Sequence, residues 1–404
     1  MALEQELELH WRRNLRYIAA ACFLVSVGFN LISPFIPMFI MELGQHENVA
    51  TLSSIAMSAT SLMAAIMAPV WGSLADKYGK KVMFLRAGTG LAISNMLIAL
   101  SQNFWQFLAL RLLNGFLSGF IPASIMFIAT NTPERRVGLA LGINQSATSI
   151  GTIMGPALGG YLAAQFGMRF SMGVAAVLIL IASLLAIFGS KELVLNTDRS
   201  KRTDVIGDMK AVMSDATLRG VIFAMFLVNM SISVIQPVLA LYIATMPFEG
   251  NLEVVTGYVF SVIGISTAIG APLISRLHTR VAPKMVFFYG LALGALLYTA
   301  QGMTNSVLML GGQRFLFGFA NSAITITANV LVTGAASAEM RGRTFGALNG
   351  IASLGNVAGP LMGGTIGDAA GYNMAFFMGT GLFMLALGIT RSSLKDVGNK
   401  PIEA

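Results

Sequence analysis

Arg111 and Arg314 have the setting in this chain that most demands an explanation, because each lies well inside a long run of apolar residues. A guanidinium held in hydrocarbon is costly, and is kept there either for function or to bond the carbonyls of neighbouring helices. For Arg314 the second account is the stronger. Arginine keeps its proton at physiological pH, so neither residue is suited to carrying protons. Each can instead bind an anionic group, hold a nearby carboxylate ionised, or orient a chain of water. All 18 acidic residues fall in loops, tails or the ends of apolar runs, the nearest being Glu42, Asp76, Glu134 and Asp368. With two positive charges inside the runs and no negative one, a site built there favours neutral or anionic ligands over cations.

Amide side chains inside the runs offer neutral hydrogen bonding: Asn30, Asn144, Gln145, Gln236 and Asn329, together with Asn95, Asn229, Asn321, Asn349 and Asn356. Such residues serve either a ligand or the packing of one helix on another. Gly151, Gly155 and Gly159 recur at four-residue spacing, so a helix over this region has a bare face that a neighbour can approach closely, and Pro156 bends it. A plain packing stripe is the alternative reading. Between two apolar runs, Gly72 to Lys81 gathers Asp76, Lys77, Lys80 and Lys81 between the glycines Gly72 and Gly79. It reads as a short basic loop whose glycines reverse the chain and whose lysines face an anionic lipid surface, an account that leaves Asp76 unexplained. His278 reads as a solvated loop residue.

The elements that must position these groups follow from composition. The 404 residues are 55% hydrophobic and 11% charged, which leaves too few polar groups to cover a water-soluble globule. Apolar runs long enough to cross about 30 Å of hydrocarbon, roughly 20 residues each, occur near 17–41, 50–72, 82–101, 105–130, 137–163, 171–189, 218–245, 254–275, 284–302, 306–334, 343–366 and 372–390. Backbone groups in lipid need internal partners and the runs do not alternate as barrel strands do, so all are expected to be helices. The charged segment from Met1 to Arg16 argues against a cleavable leader. Of the 26 lysines and arginines, nearly all fall in the terminal segments and in alternate loops, which places both termini in the cytoplasm. The same distribution explains the net charge of +8 without nucleic acid. Cys22 is the only cysteine, so disulfide, thiol and zinc chemistry are not expected, and no metal or cofactor is called for.

An internal repeat organises the runs. At an offset of 203 residues Pro34 meets Pro237, Arg111 meets Arg314 and Gly115 meets Gly318. At 204, Gly155-Pro156 and Gly159-Gly160 meet Gly359-Pro360 and Gly363-Gly364. The expected architecture is an all-α membrane protein of twelve transmembrane helices in two pseudo-symmetric six-helix bundles. The N-terminal bundle spans 1–189, a cytoplasmic linker 190–217, and the C-terminal bundle with a short tail 218–404. A parallel repeat of this kind places a ligand site between the halves near the membrane midplane.

Gly72-x-Leu-Ala-Asp76-x-x-Gly79-x-Lys81 resembles the signature of the major facilitator superfamily between its second and third spans. Gly28 with Pro34 and Pro37, and the Gly151 to Gly160 stripe, are similar to motifs of twelve-span drug/proton antiporters, the second being typical of exporters. Leu-x-x-Arg111-x-x-Asn-Gly115 resembles the superfamily's buried-arginine motif. The resemblance implies that spans 1, 4, 7 and 10 line the centre with 2, 5, 8 and 11 beside them, favouring Asn30, Asn144, Gln145, Gln236 and Asn329 as lining residues. It also implies a gate in which Asp76 takes part in a charge-dipole lock, with Gly72, Gly79, Lys80 and Lys81 around it and Arg341 or Arg343 as an added partner. The implied function is proton-coupled export of hydrophobic or amphiphilic small molecules by a monomer, with the proton gradient as energy source. The Walker-type pattern G-x-x-x-x-G-K-[ST] does not occur in the sequence. A dedicated exporter of one metabolite, sugar or lipid is the first alternative. A membrane enzyme or receptor is a remote one.

Overall fold

The computed structural model describes residues 2–194, 212–336 and 341–394, with side chains from 4 in the first stretch and from 344 in the last. Arg341, Arg343 and most of the expected linker therefore lie outside the described side chains. Among the described residues every regular element is helical, and each of the twelve expected runs forms a span. Ten spans are both long and apolar enough to cross a membrane. Span 5, Val137–Phe166, and span 11, Arg341–Ala370, are long enough but less apolar, because they carry the glycine stripes and several amides.

Three spans are broken. Span 1 runs as Ala2–Ile32, a tight turn Ser33–Phe35 and Ile36–Glu42; Pro34 removes a backbone donor at the break. Span 7 is Ala216–Val234 and Leu239–Ala244, with Gln236 and Pro237 between the pieces. Span 4 is Phe104–Leu117 and Phe120–Thr130, parted at Ser118 and Gly119, where glycine adopts a φ of 122° that a side chain would strain. Its counterpart by the repeat, span 10, is a single helix Val307–Ala335.

The basic loop expected at Gly72 to Lys81 shrinks to one residue. Span 2 continues as helix through Val49–Tyr78, Gly79 turns at φ 91°, and span 3 begins at once as Lys80–Ala99. Leu74, Ala75, Asp76 and Lys77 are compatible with helix, so only Gly79 interrupts it. The Glu192 carboxylate accepts hydrogen bonds from the backbone N–H groups of Lys80 (2.8 Å) and Lys81 (3.1 Å), satisfying the start of span 3. Asn14 and Asn131 bind the backbone of Lys191, Leu193 and Val194, so the opening residues of the expected linker are fastened to the N-terminal unit.

The chain divides into two compact units. The first comprises residues 1–45, 59–200 and 250–261, the second 46–58, 201–249 and 262–404. The opening turns of spans 2 and 8, Leu252–Leu277, are thus each assigned to the unit made mainly by the other half. Within the second unit, Asp368 accepts hydrogen bonds from the N–H groups of Ala50 (3.3 Å) and Thr51 (2.7 Å) and so caps span 2.

Packing repeats between the halves. Span 1 lies on spans 5 and 6 (Met168–Gly189), and span 7 lies on spans 11 and 12 (Tyr372–Ser393) in the same way. The glycine stripes make these contacts. A methyl group at Gly151, Gly155 or Gly159 would crowd the span 1 backbone at Phe23, Val27 and Leu31 respectively. At Gly355, Gly359 and Gly363 it would crowd span 7 at Phe226, Met230 and Val234. Backbone carbonyls cannot yield as a flexible side chain does, so overpacking here costs about 1–3 kcal/mol. Gly159→Ala is expected to lower the thermal midpoint of the purified protein by several degrees, while Gly142→Ala, which has open space around it inside the same helix, leaves the midpoint unchanged or raises it slightly.

Candidate functional site

Arg111 is buried in span 4, 8% exposed, and its guanidinium makes no hydrogen bond or ion pair among the described residues. The Thr60 hydroxyl donates to the Arg111 carbonyl (3.0 Å), and Gly115 packs on the Thr60 backbone, so spans 2 and 4 are locked together beside the guanidinium. Gly318 meets Ile263, which is Thr60 advanced by 203 residues, and the repeat therefore holds in three dimensions. Arg314 is buried within electrostatic range of Tyr298, whose ring packs at an angle or edge-on against Phe317, Phe376 and Phe383.

The expected lining residues separate into three groups. Asn144 is buried, donates to the Ser124 hydroxyl (3.4 Å) and borders Cys22, a polar knot inside the first unit. Gln145 is exposed, and Gln236 sits in the break of span 7. Asn30 donates to the Ser26 carbonyl (2.9 Å) and borders a cavity, as does Asn329 in the other unit. The Asn329 cavity, about 220 Å³, is walled by Asn229, Asn321 and Asn349 as well. Four amides from spans 7, 10 and 11 thus converge, although only Asn329 among them stood with the favoured residues. Asp76 is exposed in the last turn of span 2, with no hydrogen bond or ion pair among the described residues. Lys80 is buried at the start of span 3, and Lys81 donates through Nζ to the Ser190 carbonyl (2.7 Å).

A constellation absent from the expected residues surrounds the other cavity, about 410 Å³, enclosed by spans 1 to 4 of the first unit. Its walls are largely apolar, with Arg86 the one charged group and Ser26, Asn30 and Ser118 the other polar residues. Arg86 was not among the expected site residues, although it falls in the run near 82–101; it lies in the second turn of span 3. Its Nη2 donates to the Ser118 carbonyl (2.9 Å), which is free to accept because span 4 breaks there. The guanidinium stacks 3.6 Å from the Trp71 ring, while Trp71 Nε1 donates to the Phe116 carbonyl (2.7 Å) in the same break. Gly72 and Asn30 share the cavity wall, and Arg111 is not part of it. The legible signal was an arginine inside the apolar run near 82–101 and a Ser-Gly pair inside another.

Sequence comparison decides the family. The Major Facilitator Superfamily profile matches residues 18–280 and 221–403. The chain belongs to the major facilitator superfamily. This transporter is 31% identical over 393 residues to the multidrug resistance protein MdtG of Citrobacter koseri, covering 96% of this chain and 97% of that one. It is 34% identical over 382 residues to the multi-drug resistance efflux pump PmrA homolog of Lactococcus lactis, covering 93% of each. Among solved structures, the nucleoside transporter NupG (D323A mutant) superposes with a TM-score of 0.80 at 13% identity over 95% of this chain and all of that one. The human organic anion transporter MFSD10 does so at 0.68 and 20%, over 94% and 99%. At those identities the likeness is one of fold. The protein is therefore a multi-pass membrane transporter of small molecules rather than an enzyme.

His278 departs from expectation. Instead of being solvated, it is 2% exposed in the turn after span 8, its Nε2 2.9 Å from the Thr327 hydroxyl of span 10. Burial holds its pKa below the ordinary value of 6.5, since the imidazolium would lose its hydration. The unfolded chain binds this proton near its ordinary value and the folded one only at lower pH. Stability is therefore unaffected above about pH 6.5 and falls as the pH drops below it. Thermal midpoints measured from pH 8 to pH 5.5 are expected to decline at the acid end, and less so in His278→Gln.

Proposed function

We propose that this transporter exports hydrophobic or amphiphilic small molecules from the cytoplasm by proton-coupled alternating access. It acts as a monomer in the cell membrane, with both termini cytoplasmic. The observation that carries the reading is end-to-end similarity to proteins named for multidrug resistance and efflux. The Gly151 to Gly160 stripe, similar to the motif of exporters, supports the direction, and the bias of lysines and arginines to alternate loops supports the orientation. The largely apolar cavity of the first unit suits the apolar body of such substrates. Asp76, exposed beside Gly79, is proposed to act in the conformational cycle rather than in binding, with Arg341 or Arg343 as partner. A second reading, a dedicated exporter of one polar metabolite or sugar, is favoured by the four convergent amides of the second unit.

Everted membrane vesicles energised by respiration test the reading. Uptake of several unrelated amphiphiles is expected to collapse on addition of a protonophore, and Asp76→Asn should slow turnover severalfold while leaving substrate affinity nearly intact. Uptake that survives the protonophore contradicts proton coupling, and uptake confined to a single polar compound supports the second reading.

A further inference from the structure

The cavity beside Arg86 and Trp71 breaks the internal symmetry of the chain. Advanced by 203 residues, Trp71 becomes Ile274, Arg86 becomes Tyr289, and Ser118-Gly119 becomes Asn321-Ser322 within an unbroken helix. Stacked ring, cation and interrupted helix are therefore assembled once, in the first unit. The Arg86 guanidinium lies about 9 Å along span 3 from its start and is only partly exposed. One of its nitrogens is committed to Ser118, while Nε and Nη1 are buried with no hydrogen-bond partner among the described residues. Trp71 holds the guanidinium plane through stacking, and its own N–H is anchored on Phe116, which fixes the group at the cavity wall. No carboxylate stands in that wall. Beyond Arg86 the space runs along apolar surface, including Phe29, Ala68 and Ile121. An uncompensated cation at one side of an apolar cavity is complementary to a molecule with one anionic head and an apolar body.

We propose that this cavity is a binding subsite for monoanionic amphiphilic substrates, Arg86 taking the carboxylate or equivalent head and spans 1, 2 and 4 the apolar body. The proposal rests on the reading of the chain as a transporter of amphiphiles and names the charge class selected. Arg86 is then the specificity-determining residue, with Trp71 and Gly119 as its positioning residues. A bound carboxylate draws on the guanidinium donors that Ser118 does not occupy, by a small rotation of the group over the Trp71 face. The bidentate geometry is open to arginine and not to lysine.

The test is equilibrium binding to the full-length protein in phosphatidylcholine nanodiscs, with dansylaminoundecanoate as probe and its methyl ester as the neutral match. The wild-type protein is expected to prefer the carboxylate. Arg86→Gln should weaken carboxylate binding by about tenfold or more while changing ester binding by less than about twofold. Arg86→Lys should recover part of the preference. An unchanged preference in Arg86→Gln, or loss of both ligands together, overturns the proposal. So does displacement of the probe by phosphatidylglycerol added to the discs, which assigns the site to a lipid headgroup. The measurement uses no gradient, so failure of proton-driven export would leave its outcome standing, and failure here would leave export standing.

Discussion

A guanidinium within a membrane span has few ways to be satisfied, and Arg86, Arg111 and Arg314 meet the need differently. Arg86 uses the carbonyl released by the break in span 4 and the face of Trp71. Arg314 lies among aromatic rings near Tyr298. Arg111 is enclosed where Thr60 and Gly115 bring spans 2 and 4 together. Other features depend on these solutions. Gly119 must take a backbone conformation closed to other residues so that Ser118 can present its carbonyl, and Trp71 must reach Phe116 so that its ring is held in place. No carboxylate lines the Arg86 cavity, and the Arg111 guanidinium has no partner among the described residues, so positive charge is left there for a ligand to answer.

The glycine stripes set the frame around these cations. Spans 5 and 11 carry the same four-residue spacing, and each uses it to lie directly on the first span of its own half. Such contact leaves no room for side chains and gains its stability from backbone-level dispersion and packing rather than from a hydrophobic drive, which lipid does not supply. The stripe therefore does structural work within each unit, whatever part it has in the direction of transport. It also brings Asn30 against Gly155, which places that amide at the edge of the cavity.

The fold was legible because hydrophobic length and internal repetition are properties of the sequence itself. Twelve runs, the 203-residue offset and the prolines of spans 1 and 7 all reappear as helices, paired contacts and breaks. Where the reading failed, the cause lies in distance along the chain or in local backbone choice. Gly72 to Tyr78 looked like a loop because it is charged, yet nothing in it opposes helix, and Glu192, over a hundred residues away, caps the start of span 3. Arg86 was passed over as a site residue because a tally of charge by side does not measure depth. Trp71, Ser118 and Arg86 come from three different spans and meet only in the folded unit. The amide cluster around Asn329 was visible residue by residue, but not as one site, since its members come from spans 7, 10 and 11. His278 was misplaced for the same reason, its partner Thr327 being 49 residues distant.

The central proposal is that the positive charge of Arg86 and Arg111, which no carboxylate answers among the described residues, selects what is carried. It is tested most directly by competition in proteoliposomes, using amphiphiles that share one tail and differ only in bearing a carboxylate, an amide or a quaternary ammonium head. The account predicts that the carboxylate competes best and the quaternary ammonium worst, with the order flattening as the positive charge of the spans is removed by substitution. A series led by the quaternary ammonium compound, and indifferent to substitution of the arginines, would contradict it.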